Sequence, residues 1–522
     1  YTYDDIGQLK TAKGWESGGT VVRANEQFGY AYDAAWNLNR RTNNALVQTF
    51  NVDNLNQLSS GSRSGSFTVA GVASEPRGGD GGWGYPAGVS NVVVSGTGLS
   101  SGNADIYTDG AWARTNATLA DGNNTYNATA SDTYGRTASD SVTVNLPATP
   151  SFQYDGNGNL TNDGRRVLEY DFENQLTNVY VASGWRSEFR YDAFGRQRVR
   201  REYTWSSGAW LLTNEVRLVY DGMLVVQERD ANNLAQVSYT RGNDLSGSLQ
   251  GAGGIGGLLA RTDMPSTINP QPSTSPHAYY HCDGNGNVTA LVSTNGIMLA
   301  RYSYDPYGNL LGLSGPLAEA NRYRFSSKEW NGNAGVYYYG YRFYDGGLQR
   351  WLNRDPIGAW GGMNLFQFVG NAPPIKGDPF GLDQIGCTLE GEFGYLLGLD
   401  VGISIVYDTE NSRNSGIYTS CGPAFPALTL GAGCGVVYAP DGVAGETINA
   451  DLNLGAISPT VSIDTANNFS QIAITFGPGV GGAISNTQTD PLVTWGDVVD
   501  RLRDLLNSLF PRWVPRPICN KK

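Results

Sequence analysis

Tyr304-Asp-Pro-Tyr-Gly-Asn-Leu310 is the stretch on which the reading of the chain turns. It reads as a strand ending in tyrosine, a tight turn through Asp, Pro, Gly and Asn, and a second strand leaving it. Asp and Asn bond their own backbone in such turns, and Gly accepts a positive φ. Variants stand at Tyr154-Asp-Gly-Asn-Gly-Asn-Leu160 and Tyr191-Asp-Ala-Phe-Gly-Arg196. The Tyr-Asp pair also occurs at Tyr3-Asp4, Tyr32-Asp33, Tyr170-Asp171, Tyr220-Asp221 and Tyr344-Asp345. Tyrosine offers each hairpin a broad ring to stack on the next and a hydroxyl that tolerates water. One such hairpin is unstable alone, whereas stacked copies bury one another's faces. The repeat predicts an all-β chain.

Composition agrees. Among 522 residues there are 69 Gly and 30 Tyr, and only 16% are charged. A net charge of −12 supplies no basic surplus to neutralise phosphates, so no nucleic-acid partner is expected. No apolar run approaches the ~18 residues of a membrane-spanning helix. The chain opens inside a repeat at Tyr1-Thr2-Tyr3-Asp4, which reads as a fragment or processed piece. Cys387, Cys421, Cys434 and Cys519 are candidates for two disulfides of an oxidising compartment, with buried free thiols the standing alternative. Cys282 stands apart, and with only His277 and His281 and no CxxC, no metal site is expected.

Residues 66–149 interrupt the repeat. Short alternating segments, among them Phe67-Thr-Val-Ala70, Asn91-Val-Val-Val94 and Ser141-Val-Thr-Val144, are separated by Gly/Asp/Asn turns. This spacing predicts an inserted Ig-like β-sandwich, serving as a spacer or as a binding module for glycans. Gly251-Ala-Gly-Gly-Ile-Gly256 matches a dinucleotide fingerprint, but Pro265 and a Pro/Ser/Thr-rich stretch leave no room for the helix that the motif needs. It reads as a flexible Gly-rich segment, and no cofactor is expected. Asp155-x-Asn157-x-Asn159 and Asp283-x-Asn285-x-Asn287 begin like calcium loops, yet Arg166 and Thr294 occupy the position of the bidentate Glu, so both read as repeat turns.

The densest run is Tyr323-Arg-Phe-Ser-Ser-Lys-Glu-Trp330, then Gly335-Val-Tyr-Tyr-Tyr-Gly-Tyr-Arg-Phe-Tyr-Asp345 and Gly347-Leu-Gln-Arg-Trp-Leu-Asn-Arg-Asp-Pro-Ile-Gly358, ending in Asp378-Pro-Phe-Gly-Leu382. With the Tyr-Asp repeats, this resembles the Rhs/YD-repeat proteins and their Rhs-associated core. The resemblance implies YD repeats over 1–65 and 150–300, the core over 301–382, and a variable C-terminal domain over 383–522. It further implies a bacterial protein, secreted or on the cell surface, whose β-shell encloses its own C-terminal domain. Taken alone, the two Asp-Pro-x-Gly units are type I turns. The resemblance assigns Asp355 and Asp378 to an aspartyl-type pair that cuts between Leu382 and Asp383. Two carboxylates at short range cannot both ionise, so one keeps a proton while the other takes one from water. Arg354 is the candidate to orient them through a charge-assisted hydrogen bond.

The tail carries strand-like runs at 394–407, 427–438, 448–454 and 470–476, and a helical pattern from Trp495 to Phe510. Its glycines predict a curved antiparallel sheet or small barrel. The resemblance implies an effector with an immunity protein as partner, often a nuclease or deaminase. The tail departs from those types: it has no His, and Asp and Glu outnumber Lys and Arg by 14 to 7. A membrane-perturbing barrel and a non-toxic structural or adhesive cap, in contact with a neighbouring cell surface, both stay open. No turnover enzyme is identified.

Overall fold

The structure is a computed structural model that describes residues 1–73, 88–264 and 277–382, together with the backbone of six strands in 385–476. The chain divides into two compact units, the larger taking Tyr1–Glu390 and the smaller Gly391–Thr429, with Leu430–Val436 assigned to the larger and Val437–Lys522 to the smaller.

The larger unit is built of antiparallel strands that pair in sequence order. Six strands from Thr2–Tyr3 to Leu58–Ser64 form one sheet, and fourteen from Gln153–Tyr154 to Leu310–Ser314 form another. A bridge between Ser60 and Ser151 carries the first wall toward the second, so the intervening residues leave the wall and return to it.

The repeat turn has one design. An aspartate Oδ1 accepts the N–H of the residues two and four positions on, as in Asp192 with Phe194 (3.0 Å) and Arg196 (3.1 Å), and Asp305 with Tyr307 and Asn309 (both 2.9 Å). Asp4, Asp33, Asp53, Asp155, Asp171, Asp230 and Asp283 do the same. Three of these follow Val52, Arg229 and Cys282 rather than tyrosine, so the aspartate recurs beyond the tyrosine. Val181 and Ser293 close the same backbone turn without an aspartate, Ser293 using its hydroxyl as the acceptor. Tyr220-Asp221 departs from the pattern and turns in a tight hairpin, with Asp221 paired directly to Leu224. Register slips by one residue at Tyr3, Tyr32, Tyr154, Tyr170, Tyr191, Tyr220 and Tyr304, a β-bulge that bends and twists the strand.

The tyrosine hydroxyl, which tolerates water, is here mostly committed to protein. Tyr32 donates to Leu9 O (2.9 Å), Tyr191 to Leu176 O (2.5 Å), Tyr220 to Gln197 O (2.7 Å) and Tyr304 to Val288 O (2.7 Å). Each acceptor lies five residues after the Asp of the preceding turn. Ring burial therefore comes with a strap to the previous repeat, and no buried hydroxyl in these four is left unpaired.

The 67–146 insert holds a three-stranded and a four-stranded antiparallel sheet. Val69, Trp112 and Ala117 from one meet Val92, Val94 and Tyr126 from the other in one core. The insert is tied back to the wall by Arg23, which reaches Asp109 at 3.0 Å, and by the Ala24 N–H on the Tyr107 hydroxyl at 2.8 Å.

Residues 315–382 are short strands and 3₁₀ turns rather than long hairpins. Glu329–Asn331, Val336–Tyr338, Phe343–Asp345 and Arg350–Trp351 form a small sheet. Tyr344-Asp345 belongs to this sheet and not to a repeat turn. Tyr337, Tyr339, Tyr344, Trp351 and Phe368 are all 2% exposed or less and share a core with Leu9, Phe28 and Tyr307 of the repeats. Tyr344 stacks on Phe368 at 3.8 Å between centroids, and Tyr339 meets Trp351 edge-on at 5.1 Å. Such pairs contribute roughly 0.5–1.5 kcal/mol each beyond area burial. Arg166 from the repeats pins the segment, with Nη2 on Asp345 at 2.5 Å and Nε on Asp163 at 2.6 Å.

In the smaller unit Leu399–Val406 pairs with Gly416–Pro423, and Ile448–Asp451, Ile457–Asp464 and Asn468–Phe476 form a second antiparallel sheet. The strand expected over 427–438 and the helix expected over Trp495 to Phe510 lie outside the described residues. No α-helix is present among the described residues, and none is long and apolar enough to cross a membrane.

Candidate functional site

The Asp378–Leu382 loop leaves the strand Lys376–Gly377, which pairs with Ile385–Gly386 beyond it. Leu382 therefore lies in the connection of a hairpin. Asp378 is 2% exposed and folds the loop around itself, its Oδ1 accepting the N–H of Phe380 (3.1 Å), Gly381 (2.6 Å) and Leu382 (3.1 Å). The carbonyls are held from outside, one after another. Lys328 Nζ donates to Pro379 O, the Tyr341 N–H to Phe380 O at 3.0 Å, and Arg342 Nε to Gly381 O.

The next carbonyl in line is that of Leu382, and it meets Asp355 at Gly361. A Cβ at Gly361 would lie 2.4 Å from Asp355 Oδ2 and 3.1 Å from Leu382 O. Asp355 follows the strand Arg350–Trp351; its Oδ1 accepts the Ile357 N–H at 3.0 Å and its own N–H is bound by Leu365 O at 3.0 Å. Its position is thus set by backbone on both sides.

One guanidinium joins the two aspartates. Arg342 Nη2 stands 2.8 Å from Asp355 Oδ2 and 3.6 Å from Asp378 Oδ2, and the group lies over the Trp351 ring at 4.2 Å. Burial pushes the Asp378 carboxyl above the usual carboxylate range, although Arg342, the Gly381 and Leu382 N–H groups and Lys328 all pull it down. Two buried carboxylates against one shared arginine favour retention of a proton by the pair. A cavity of about 300 Å³ borders Asp355 and Arg342 and is lined by Asn157, Asn159, Asn174 and Asn353, amide groups able to hold water beside Asp355.

The structure thus brings Asp355, Asp378 and Leu382 together. Asp383 lies outside the described residues. Arg354 lines the same cavity but rests against the Asp155 turn, where a Cβ at Gly158 would come 2.3 Å from its Nε. The arginine on both carboxylates is Arg342, which sequence reading passed over: it sits in a run of tyrosines and arginines shared with the repeats. Lys328 and Gly361 likewise carried no mark of their role. The Gly251–Gly256 segment, expected to be flexible, is a closely packed turn with Ala252 and Ile255 at 3% exposure. Cys282 is a free thiol. Cys387, Cys434 and Cys519 fall outside the described residues, and only the backbone is described at Cys421. No group of metal-ligating side chains occurs among the described residues.

No protein-family model matches the chain. It is 35% identical over 151 residues to YibJ of Escherichia coli K12, covering 28% of this chain and 64% of that protein. It is 28% identical over 240 residues to the tRNA3(Ser)-specific nuclease WapA of Bacillus spizizenii, covering 44% of this chain and 9% of the relative. Other relatives are named as a double-stranded DNA deaminase toxin and as toxin subunits. Among solved structures, the TcdB2–TccC3 crystal structure aligns over 73% of this chain and 18% of its own, at 18% identity and a TM-score of 0.36. The matched stretches span less than two thirds of the length of YibJ and a small part of WapA. These relatives support a relationship to Rhs/toxin-type proteins.

Proposed function

We propose that this chain is the C-terminal part of an Rhs/YD-repeat protein of a polymorphic-toxin-like system, which holds a C-terminal effector and cuts itself free of it after Leu382. The observation that carries this reading is the convergence of Asp355, Asp378 and the Leu382 carbonyl around Arg342 and Gly361. The pair shares one proton. Its basic member deprotonates a water from the adjoining cavity, the oxygen adds to the Leu382 carbonyl carbon, and its acidic member polarises the carbonyl oxygen. Collapse of the tetrahedral intermediate breaks the C–N bond to Asp383, whose nitrogen takes a proton. The products are a Leu382 carboxyl and a free amine on Asp383. Each molecule performs one turnover, so the rate comes from orientation inside a buried site and not from affinity. The Ig-like insert serves as a spacer on the wall, and the protein acts outside the cell that makes it.

Intact-mass measurement under denaturing conditions tests this. A fragment beginning at Asp383 is expected from the wild-type chain and is absent from Asp355→Asn and Asp378→Asn. A wild-type chain that resists protease digestion over 1–382 yet stays in one piece would overturn the proposal.

A further inference from the structure

We infer that Lys328 is a positioning residue for the Leu382 carbonyl, with Gly253 as its second anchor: the ammonium bridges the carbonyls of Gly253 and Pro379 and so ties the cleavage loop to the Gly-rich turn of the repeat wall. This rests on the self-cleavage proposed above and adds a requirement to it. The loop is aimed at Asp355 only once the Gly251–Gly256 turn has docked.

The geometry is specific. Lys328 Nζ donates to Gly253 O at 2.8 Å and to Pro379 O, and its remaining face looks onto the rings of Tyr339 at 5.3 Å and Phe380 at 6.0 Å. An ammonium has three donors and no acceptor, so two carbonyls and two ring faces complete its surroundings. The residue is 6% exposed. A buried cation of this size is retained only where such partners offset its desolvation. The turn is built to meet it. Gly253 has φ +58°, and a Cβ there would lie 2.0 Å from Pro379 O and 2.9 Å from Nζ. Asp244 Oδ2 accepts the N–H of Ala252 at 2.7 Å and of Gly254 at 3.0 Å, while the Gly256 N–H donates to Ser327 Oγ at 3.0 Å. The turn is thus fastened to its own repeat and to the residue beside Lys328.

The consequence for the scissile bond follows from the order of the held carbonyls. Pro379, Phe380 and Gly381 are fixed in succession by Lys328, Tyr341 and Arg342, and the Leu382 carbonyl is the first one past the series. Releasing the first anchor lets the loop swing about the remaining two. The charged groups facing Lys328 are Asp378 on the loop and Arg241 and Asp244 on the repeats; burial brings its ammonium down to about 7 against the pull of Asp378. Anchoring by the charged form is therefore lost as pH rises through that value.

The test compares Lys328→Met, Lys328→Arg and Gly253→Ala in the complete chain, by pulse–chase cleavage rate and urea midpoint, with Asp355→Asn as the uncut reference. Lys328→Met is expected to slow cleavage about 100-fold, in line with a displacement of about 1 Å at a reacting centre. Lys328→Arg should recover part of the rate and abolish the wild-type decline above pH 7. Gly253→Ala should slow cleavage with the lysine intact. Should Lys328→Met not fold, the Arg variant's pH profile and the Gly253→Ala rate decide. Wild-type rates in Lys328→Met or Gly253→Ala, or an unchanged pH profile in Lys328→Arg, overturn the inference while Asp355→Asn remains uncut. Cleavage in Asp355→Asn overturns the underlying reading instead.

Discussion

Gly361→Ala places one methyl group between the carboxylate of Asp355 and the carbonyl of Leu382. The added carbon would lie 2.4 Å from Oδ2, 2.9 Å from Cγ and 3.1 Å from the carbonyl oxygen. Non-bonded heavy atoms settle near 3.5 Å, so the carboxylate must retreat by about 1 Å. A misplacement of that size at a reacting centre lowers the rate on the order of 100-fold, equivalent to about 2.7 kcal/mol of barrier. The backbone itself tolerates alanine: Gly361 closes the short turn Gly358–Gly361 and lies outside the left-handed region. The unfolded chain also loses freedom, which offsets part of any strain. Cell-free synthesis with a labelled pulse and denaturing electrophoresis of the chase gives the half-time directly. Gly156→Ala is the matched control, since a Cβ there meets no atom within 4 Å. Wild-type cleavage kinetics in a folded Gly361→Ala chain would refute the placement of Asp355 against Leu382.

Asp378→Ala should cost roughly 3–5 kcal/mol in urea unfolding, because three buried N–H groups lose their acceptor, whereas Asp378→Asn keeps the acceptor and stays within about 1 kcal/mol of wild type; neither variant is cut. The raised Asp378 carboxyl contributes stability that is fully present below its unfolded value of 3.8 and lost as pH rises through the folded value. In an Asp355→Asn background, Asp378→Asn should therefore gain stability over its parent as pH climbs from acid toward neutral, and parallel profiles would contradict the burial argument. Arg166→Met strands Asp163 and Asp345 and should destabilise by about 3–5 kcal/mol, while Arg136→Ala, whose side chain is 68% exposed, should change stability by less than about 1 kcal/mol. Asp230→Ala and Asp192→Ala should each lower stability by about 1–2 kcal/mol, although no tyrosine precedes Asp230; a silent Asp230→Ala beside a costly Asp192→Ala would return the defining role to tyrosine.

The strand order was legible because the repeat is local: a Tyr-Asp pair with Gly or Asn after it specifies a turn without reference to the rest of the chain. Copies at Asp53 and Asp230 escaped because the residue before each aspartate is not tyrosine, whereas Asp283 was legible from its Asp-x-Asn-x-Asn spacing. Tyr220-Asp221 was misread for the opposite reason, since Gly222 two residues before Leu224 permits a shorter turn than the motif implies. At the site, the two aspartates stood out through their Asp-Pro-x-Gly setting and the family resemblance. Arg342 did not, because nothing in Tyr339-Gly-Tyr-Arg-Phe-Tyr-Asp345 separates an arginine that faces carboxylates from one that faces solvent. Lys328 and Gly253 lie far apart in sequence, and their meeting at Pro379 is a product of tertiary packing alone. The Gly251–Gly256 segment looked loose because composition reports freedom in the unfolded chain and is silent on docking.

The bulge at each repeat tyrosine has an implication for how such chains change over generations. Most turns carry their own register marker, the slipped residue followed by an aspartate that closes the loop upon itself. Deleting or duplicating a whole unit by recombination would leave the pairing on either side in phase, since no strand takes its alignment from a distant partner. An in-frame loss of a single residue would instead face every side chain of one strand the wrong way. Lineages should therefore differ in the number of units while keeping the length of each unit nearly constant.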